Sequence, residues 1–177
     1  DINDLNMYGE KYGSKEIEIK AEEISNIAIS STKIRKAISE GDISTAKEYL
    51  GYDVSLSGRI VHGKSIGRTI GFPTANLFIS ESYKLIPSDG VYAIFVYLRL
   101  ERYDGMLNIG WRPTVKGKKR TIEAHFFDFN EDIYGSYLRV ELVSFIRKEI
   151  EFNHLDSLKE QLIKDKSAAK IILEKVN

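Results

Sequence analysis

A mainly β domain, built as a small antiparallel barrel or sandwich and closed by a C-terminal helix, is the fold class this sequence predicts. Three observations predict it. From Val54 to Arg147 apolar residues recur mostly every second position, and turn residues return every 10–15 positions. From Leu155 onward the apolar residues recur at helical spacing. Hydrophobic residues make up 42% of the 177 positions, charged residues 29%, and prolines number three, which excludes disorder. That length fits one complete domain with an appendage.

The elements follow in order. Residues 1–29 are polar, with one alternating piece at Ile17–Ile19 that reads as a strand. Serines ahead of Ile34, Ala37 and Ile38 predict an N-capped helix that stops at Gly41. Asp42–Leu50 predicts a second short helix, ended by Gly51. A strand and two small helices cannot fold alone, so residues 1–51 form the appendage. Val54–Val61 is the first strand of the main domain. Gly90–Leu100 is apolar on both faces, which predicts burial on both sides. Arg102–Asp104 reads as a turn, and Gly105–Trp111 as the returning arm of a hairpin. Thr121–Phe129 and Tyr137–Arg147 are two more strands, separated by Asn130–Asp132. Leu155, Leu158, Leu162, Ala169, Ile172, Leu173 and Val176 mark the terminal helix, and Ser157–Glu160 has a capping-box pattern. About six strands with short connections leave barrel and sandwich open.

Charge and cysteine content narrow the function. Lys plus Arg is 26 and Asp plus Glu is 26, so the net charge is zero. A protein that grips nucleic acid or an anionic membrane would be more basic. The absence of cysteine excludes disulfides, thiolate metal sites and cysteine nucleophiles, and fits a reducing compartment. No apolar run approaches the ~20 residues of a membrane span, and no signal peptide is visible, so a cytoplasmic location is expected. The chain begins at Asp1 and reads from there like the middle of a longer one.

One stretch carries chemistry: Gly63-Lys64-Ser65-Ile66-Gly67-Arg68-Thr69-Ile70-Gly71-Phe72-Pro73-Thr74-Ala75-Asn76. Glycines four apart, with Lys64 and Arg68 between them, let backbone N–H groups close on an anion and favour phosphate. The bland reading is a hairpin with a solvated basic tip. This is not a Walker A sequence. Pro73 fixes the backbone before Thr74 and Asn76, which point the same way on an extended strand. Their hydroxyl and amide oxygens suit Mg²⁺ that shares its shell with phosphate. Taken alone, they read equally as strand-edge polar residues satisfying each other.

The run His62–Leu77 resembles the signature of riboflavin kinase, the flavokinase module of bacterial bifunctional riboflavin kinase/FMN adenylyltransferase. Further similarities follow in order: Asp89–Ala93, Asn108–Val115, Ile122–His125 with Asp128-Phe129, Ile133–Gly135 and Phe145–Arg147. The resemblance covers roughly residues 53–177. It implies a six-stranded antiparallel Greek-key β-barrel with a C-terminal helix, with the kinase domain at 52–177. It implies transfer of the γ-phosphoryl group of ATP to the ribityl 5′-hydroxyl of riboflavin, giving FMN and ADP. It assigns Glu123 as the base, and Thr74 and Asn76 as ligands of the Mg²⁺ that bridges ATP phosphates. Gly63, Lys64, Gly67, Arg68, Gly71 and Pro73 would cover the phosphates, and Arg147 would face the flavin. Ile29–Arg35 resembles the last motif of the adenylyltransferase module, so residues 1–51 are read as its C-terminal remnant.

Around this reading stand others. On period alone Glu123 is a surface carboxylate on the face it shares with Thr121, His125 and Phe127. His125 has two readings, a ligand contact and, favoured over it, a structural histidine satisfied by backbone, and Arg147 reads equally as a strand-end arginine in solvent. Lys116–Arg120 reads as a solvated hairpin tip. The expected partners are riboflavin and ATP alone, with no nucleic acid or membrane, and a monomer. The alternative is a non-catalytic flavin- or nucleotide-binding barrel.

Overall fold

A computed structural model describes residues 23–24, 27–63, 66–114 and 117–176. The chain forms two compact units, 1–31 and 32–177. In the first, β1 (Glu23–Ile24) pairs antiparallel with β2 (Ile27–Ala28). The strand expected at 17–19 lies outside the described residues.

The second unit is a barrel preceded by two helices. Helix α1 (Ser31–Glu40) ends at Gly41, whose φ is +79°. Helix α2 (Ile43–Leu50) is capped by the Asp42 carboxylate, which accepts from Thr45 N at 3.1 Å. Gly51 closes it in the left-handed conformation, its N–H on Lys47 O. Ala37, Ile38, Ile43 and Ala46 are buried in the same core as the barrel interior.

Six strands close the barrel in the order β3-β4-β7-β6-β5-β8. They are β3 (Ser55–Val61), β4 (Ala75–Phe78), β5 (Gly90–Leu98), β6 (Glu101–Thr114), β7 (Gly117–Phe126) and β8 (Tyr137–Arg147). Between β3 and β4 lies a single helical turn, α3 (Ile66–Thr69). All pairings within the barrel are antiparallel. The two-sided burial of β5 is present: Tyr92, Ile94, Val96 and Leu98 fill the barrel. Val91, Ala93 and Phe95 pack with Ala169 and Leu173 of the terminal helix α4 (Leu155–Glu174).

Three boundaries depart from expectation. The β5–β6 turn lies at Arg99–Leu100 rather than at Arg102–Asp104, with Arg99 at φ +57°. Arg102 is a strand residue whose guanidinium lies 4.4 Å over the Phe95 ring. Strand β7 spans 117–126 rather than 121–129, and Asp128 beyond it has φ +55°. Helix α4 starts at Leu155, so Ser157 and Glu160 sit inside its first turns and form no cap.

Candidate active site

Register places the sequence-predicted residues. Asn76 on β4 is the Cα partner of Glu123 on β7, and Glu123 is the partner of Asn108 on β6. Partners across an antiparallel pair point the same way, so Asn76, Glu123 and Asn108 form one row across three strands. Extended along β5 and β8, the row reaches Val91 and then Arg147.

Glu123 is the centre of a polar cluster. Its Oε2 accepts from Thr74 Oγ1 at 3.4 Å, and its Oε1 accepts from Thr121 Oγ1 at 3.2 Å. Arg112 Nε lies 3.4 Å from Oε1. Its Nη1 donates to Glu149 Oε1 at 2.5 Å, so one arginine bridges two carboxylates. Glu149 follows β8 and reaches β6, where Trp111 N donates to its Oε2 at 3.3 Å. A Cβ on Gly110 would sit 1.9 Å from Glu149 Oε1, so glycine there admits the carboxylate. Asn108 Nδ2, in the same row, is buried with no hydrogen-bond partner among the described residues.

Thr74 also borders a cleft of about 70 Å³. Its lining includes Arg68, Pro73 and Thr74 together with Phe129–Tyr134. His62 and Tyr134 stack nearby, their ring centroids 3.8 Å apart. Lys64 lies outside the described residues. Gly63 sits so close to Asn76 that a Cβ there would meet Nδ2 at 2.1 Å. Gly67 lies within α3, and Gly71 leaves that turn at φ +84°. The segment therefore carries a helical turn between its glycines, not one continuous extended loop.

Arg147 has structural partners. Its Nε and Nη2 donate to Asp165 Oδ1 and Oδ2 at 2.8 and 2.6 Å, and its Nη1 donates to Lys148 O at 2.9 Å. It stands three strands along the row from Glu123. Arg120, in the expected solvated tip, ion-pairs with Asp89 at 2.7 Å. His125 is 5% exposed, and its Nδ1 donates to Pro73 O at 2.7 Å. Burial holds its pKa below the usual imidazole value, and the Pro73 carbonyl opposes that in part.

Sequence reasoning passed over Arg112 and Glu149. Their pairing spans 37 positions with no local pattern. The available signals were the place of Arg112 in the Asn108–Val115 resemblance and Gly110 inside a strand, which marks close approach by something.

A riboflavin kinase family model matches residues 50–173, most of the chain and all of the site. The chain belongs to the riboflavin kinase family. It is 44% identical over 143 residues to the bifunctional riboflavin kinase/FMN adenylyltransferase of Haemophilus influenzae, covering 80% of this chain and 46% of that protein. The Bacillus subtilis protein of the same name is 42% identical over 144 residues, covering 80% and 45%. The chain thus spans about half the length of these curated relatives. It also superposes on a crystal structure of a macrolide-efflux protein from Streptococcus pneumoniae, with a TM-score of 0.83 and 36% identity. That match covers 95% of this chain and 54% of that one. Among the described residues, no helix is long and apolar enough to cross a membrane.

Proposed function

We propose that this chain transfers the γ-phosphoryl group of ATP to the terminal ribityl hydroxyl of riboflavin, yielding FMN and ADP. The observation that carries the proposal is Thr74. It lines a cleft together with Arg68 and Pro73, and its hydroxyl meets the Glu123 carboxylate. A phosphoryl donor in the cleft and a base for the acceptor hydroxyl would then share one edge. The triphosphate would enter beside Arg68, Pro73 and Thr74, with Gly63, Lys64, Gly67 and Gly71 forming the loop above it. Glu123 accepts the proton as the ribityl oxygen bonds to the γ-phosphorus. The bond from that phosphorus to the β–γ bridging oxygen breaks, and ADP leaves. Thr121 and Arg112 hold the carboxylate while this occurs.

The donor set fits Mg²⁺. Thr74 and Asn76 offer neutral hard oxygens, and Gly63 leaves room for the Asn76 amide. Mg²⁺ held there with the nucleotide phosphates would neutralise charge developing on the transferred group. Residues 1–51 are proposed as the C-terminal part of an FMN adenylyltransferase module, and 52–177 as the kinase domain. Monomeric action in the cytoplasm, without nucleic acid or membrane, belongs to the same proposal.

The test incubates the chain with riboflavin, ATP and Mg²⁺, with and without EDTA, and separates the flavins by chromatography. Metal-dependent FMN is expected. Glu123→Gln should lower kcat on the order of 10²–10⁴-fold while riboflavin still binds. Unchanged turnover in that variant would remove Glu123 as the base. Riboflavin binding without FMN would turn the reading toward a non-catalytic flavin-binding barrel.

A further inference from the structure

We infer that His125 is a positioning residue for phosphoryl transfer: through the carbonyl of Pro73 it fixes Thr74 and Asn76 against Glu123. The inference rests on the kinase reading and deepens it.

The β4–β7 ladder is short. Its two Cα pairs are Ala75↔Ala124 and Asn76↔Glu123. The next position in that register sets Thr74 opposite His125, and the chain before Thr74 is not strand. Pro73 has no N–H, so it cannot extend the ladder as a donor. Gly71, at φ +84°, has just turned the chain out of α3. The phosphate-side segment therefore reaches Thr74 without sheet hydrogen bonds to hold it. The imidazole supplies the missing tie, from Nδ1 to Pro73 O at 2.7 Å, across 52 positions of sequence.

The ring's surroundings argue against plain core filling. Phe72 and Phe127 flank it, with centroids at 5.1 and 5.7 Å. Packing alone would be met there by an apolar side chain. Instead a polar ring is buried, and among the described residues its Nε2 has no hydrogen-bond partner. An unmet buried polar atom costs about 1–3 kcal/mol. A carbonyl can only accept, so Nδ1 carries the proton and Nε2 is the bare nitrogen. The one polar contact that offsets this cost is the contact to Pro73. His125 is also two residues from Glu123 on the same strand face. One strand thus sets both the base and the brace of the segment proposed to hold the metal.

The test compares His125→Asn with His125→Leu in the whole 177-residue chain. The asparagine amide nitrogen takes the place of Nδ1 and keeps the donor; leucine keeps bulk and loses it. In His125→Leu, kcat/KM for ATP should fall on the order of 10–100-fold, the scale of a small misplacement at a reacting centre. The Kd for Mg·ADP, read by calorimetry, should rise at least several-fold, and the riboflavin Kd should stay within about twofold. His125→Asn should restore both nucleotide readouts to within about threefold of wild type. Should leucine prevent folding, His125→Gln replaces it, because its amide nitrogen takes the place of Nε2 and misses Pro73. The inference is overturned if the donor-less variant binds Mg·ADP like wild type, or if asparagine fails as fully as leucine does. A wild-type chain that makes no FMN would defeat the kinase reading alone. The Mg·ADP comparison would still decide the role of His125.

Discussion

Asp165→Leu should destabilise the domain by about 3 kcal/mol. Asp165 lies on α4 and is 1% exposed, with Arg147 bonded to both of its carboxylate oxygens. Gln161 Nε2 donates to the same carboxylate at 2.9 Å. Removing the acid strands the Arg147 charge against the outer wall of the barrel. Breaking a buried ion pair from one side costs roughly 3–5 kcal/mol. The lower end applies because the Arg147 side chain keeps 18% of its exposure and its bond to Lys148 O. At roughly 2–4 °C per kcal/mol for a chain of this size, Tm should fall by about 6–12 °C.

The informative measurement is the double-mutant cycle with Arg147→Met, followed by thermal melting and urea titration. Replacing both partners with apolar groups of similar volume should return the domain to within about 1–2 kcal/mol of wild type. The cycle also decides what Arg147 does. Three of its five N–H donors are taken by Asp165 and Lys148 O, which holds the side chain against α4, so the double variant should bind riboflavin with a Kd within about twofold of wild type. Additive losses in the cycle would refute the ion pair as the anchor of α4. A tenfold loss of riboflavin affinity in a stable double variant would instead support the expected flavin-facing role of Arg147.

Thr74→Ala and Asn76→Ala should each raise KM for Mg·ATP about tenfold or more and shift the Mg²⁺ titration upward; unaltered titrations in both would remove them as metal ligands. Gly110→Ala places a Cβ 1.9 Å from Glu149 Oε1 and should expel that flexible side chain. Its effect on kcat should therefore not add to that of Glu149→Gln, and additive effects would mean the two residues act separately. His125 contributes a pH dependence of known sign. Its folded pKa lies below the unfolded value of about 6.5, so the unfolded chain binds more protons in the window between them. Stability should be complete above about pH 6.5 and decline as pH falls through that window. The slope from this one group is at most about 1.4 kcal/mol per pH unit. Urea titrations at several pH values should show that slope in wild type and lose it in His125→Asn.

The legible parts of the sequence were those with a local cause. Strand β8 was readable to the residue, because Leu138, Val140 and Leu142 alternate with polar neighbours after a turn-like stretch and the apolar run ends at Arg147. The double-sided β5 was readable because both of its residue sets are apolar. The β5–β6 turn was not, because Arg99 takes a positive φ without any turn-forming residue, while Arg102–Asp104 looks like a turn and is strand. Ser157–Glu160 matched a cap because the pattern is short enough to recur inside a helix. Thr74, Asn76 and Glu123 were singled out by spacing and resemblance, and their meeting depends on register between β4 and β7. Arg112 lay inside the Asn108–Val115 resemblance without a role of its own, and Glu149 had neither spacing nor motif.

Gly63 and Gly110 join these two kinds of knowledge. From sequence, Gly63 was one of three evenly spaced glycines that could cradle phosphate, and Gly110 was a glycine in a strand. Each proves to be a place where a side chain from elsewhere must pass: the Asn76 amide at Gly63, the Glu149 carboxylate at Gly110. Both of those side chains flank Glu123, one through register and one through Arg112. A glycine in a sequence states that backbone will be approached and leaves the visitor unnamed. At these two positions the visitors are the register neighbour of the proposed base and the carboxylate that shares Arg112 with it. Space around Glu123 is therefore set as much by missing side chains as by the polar groups that touch it.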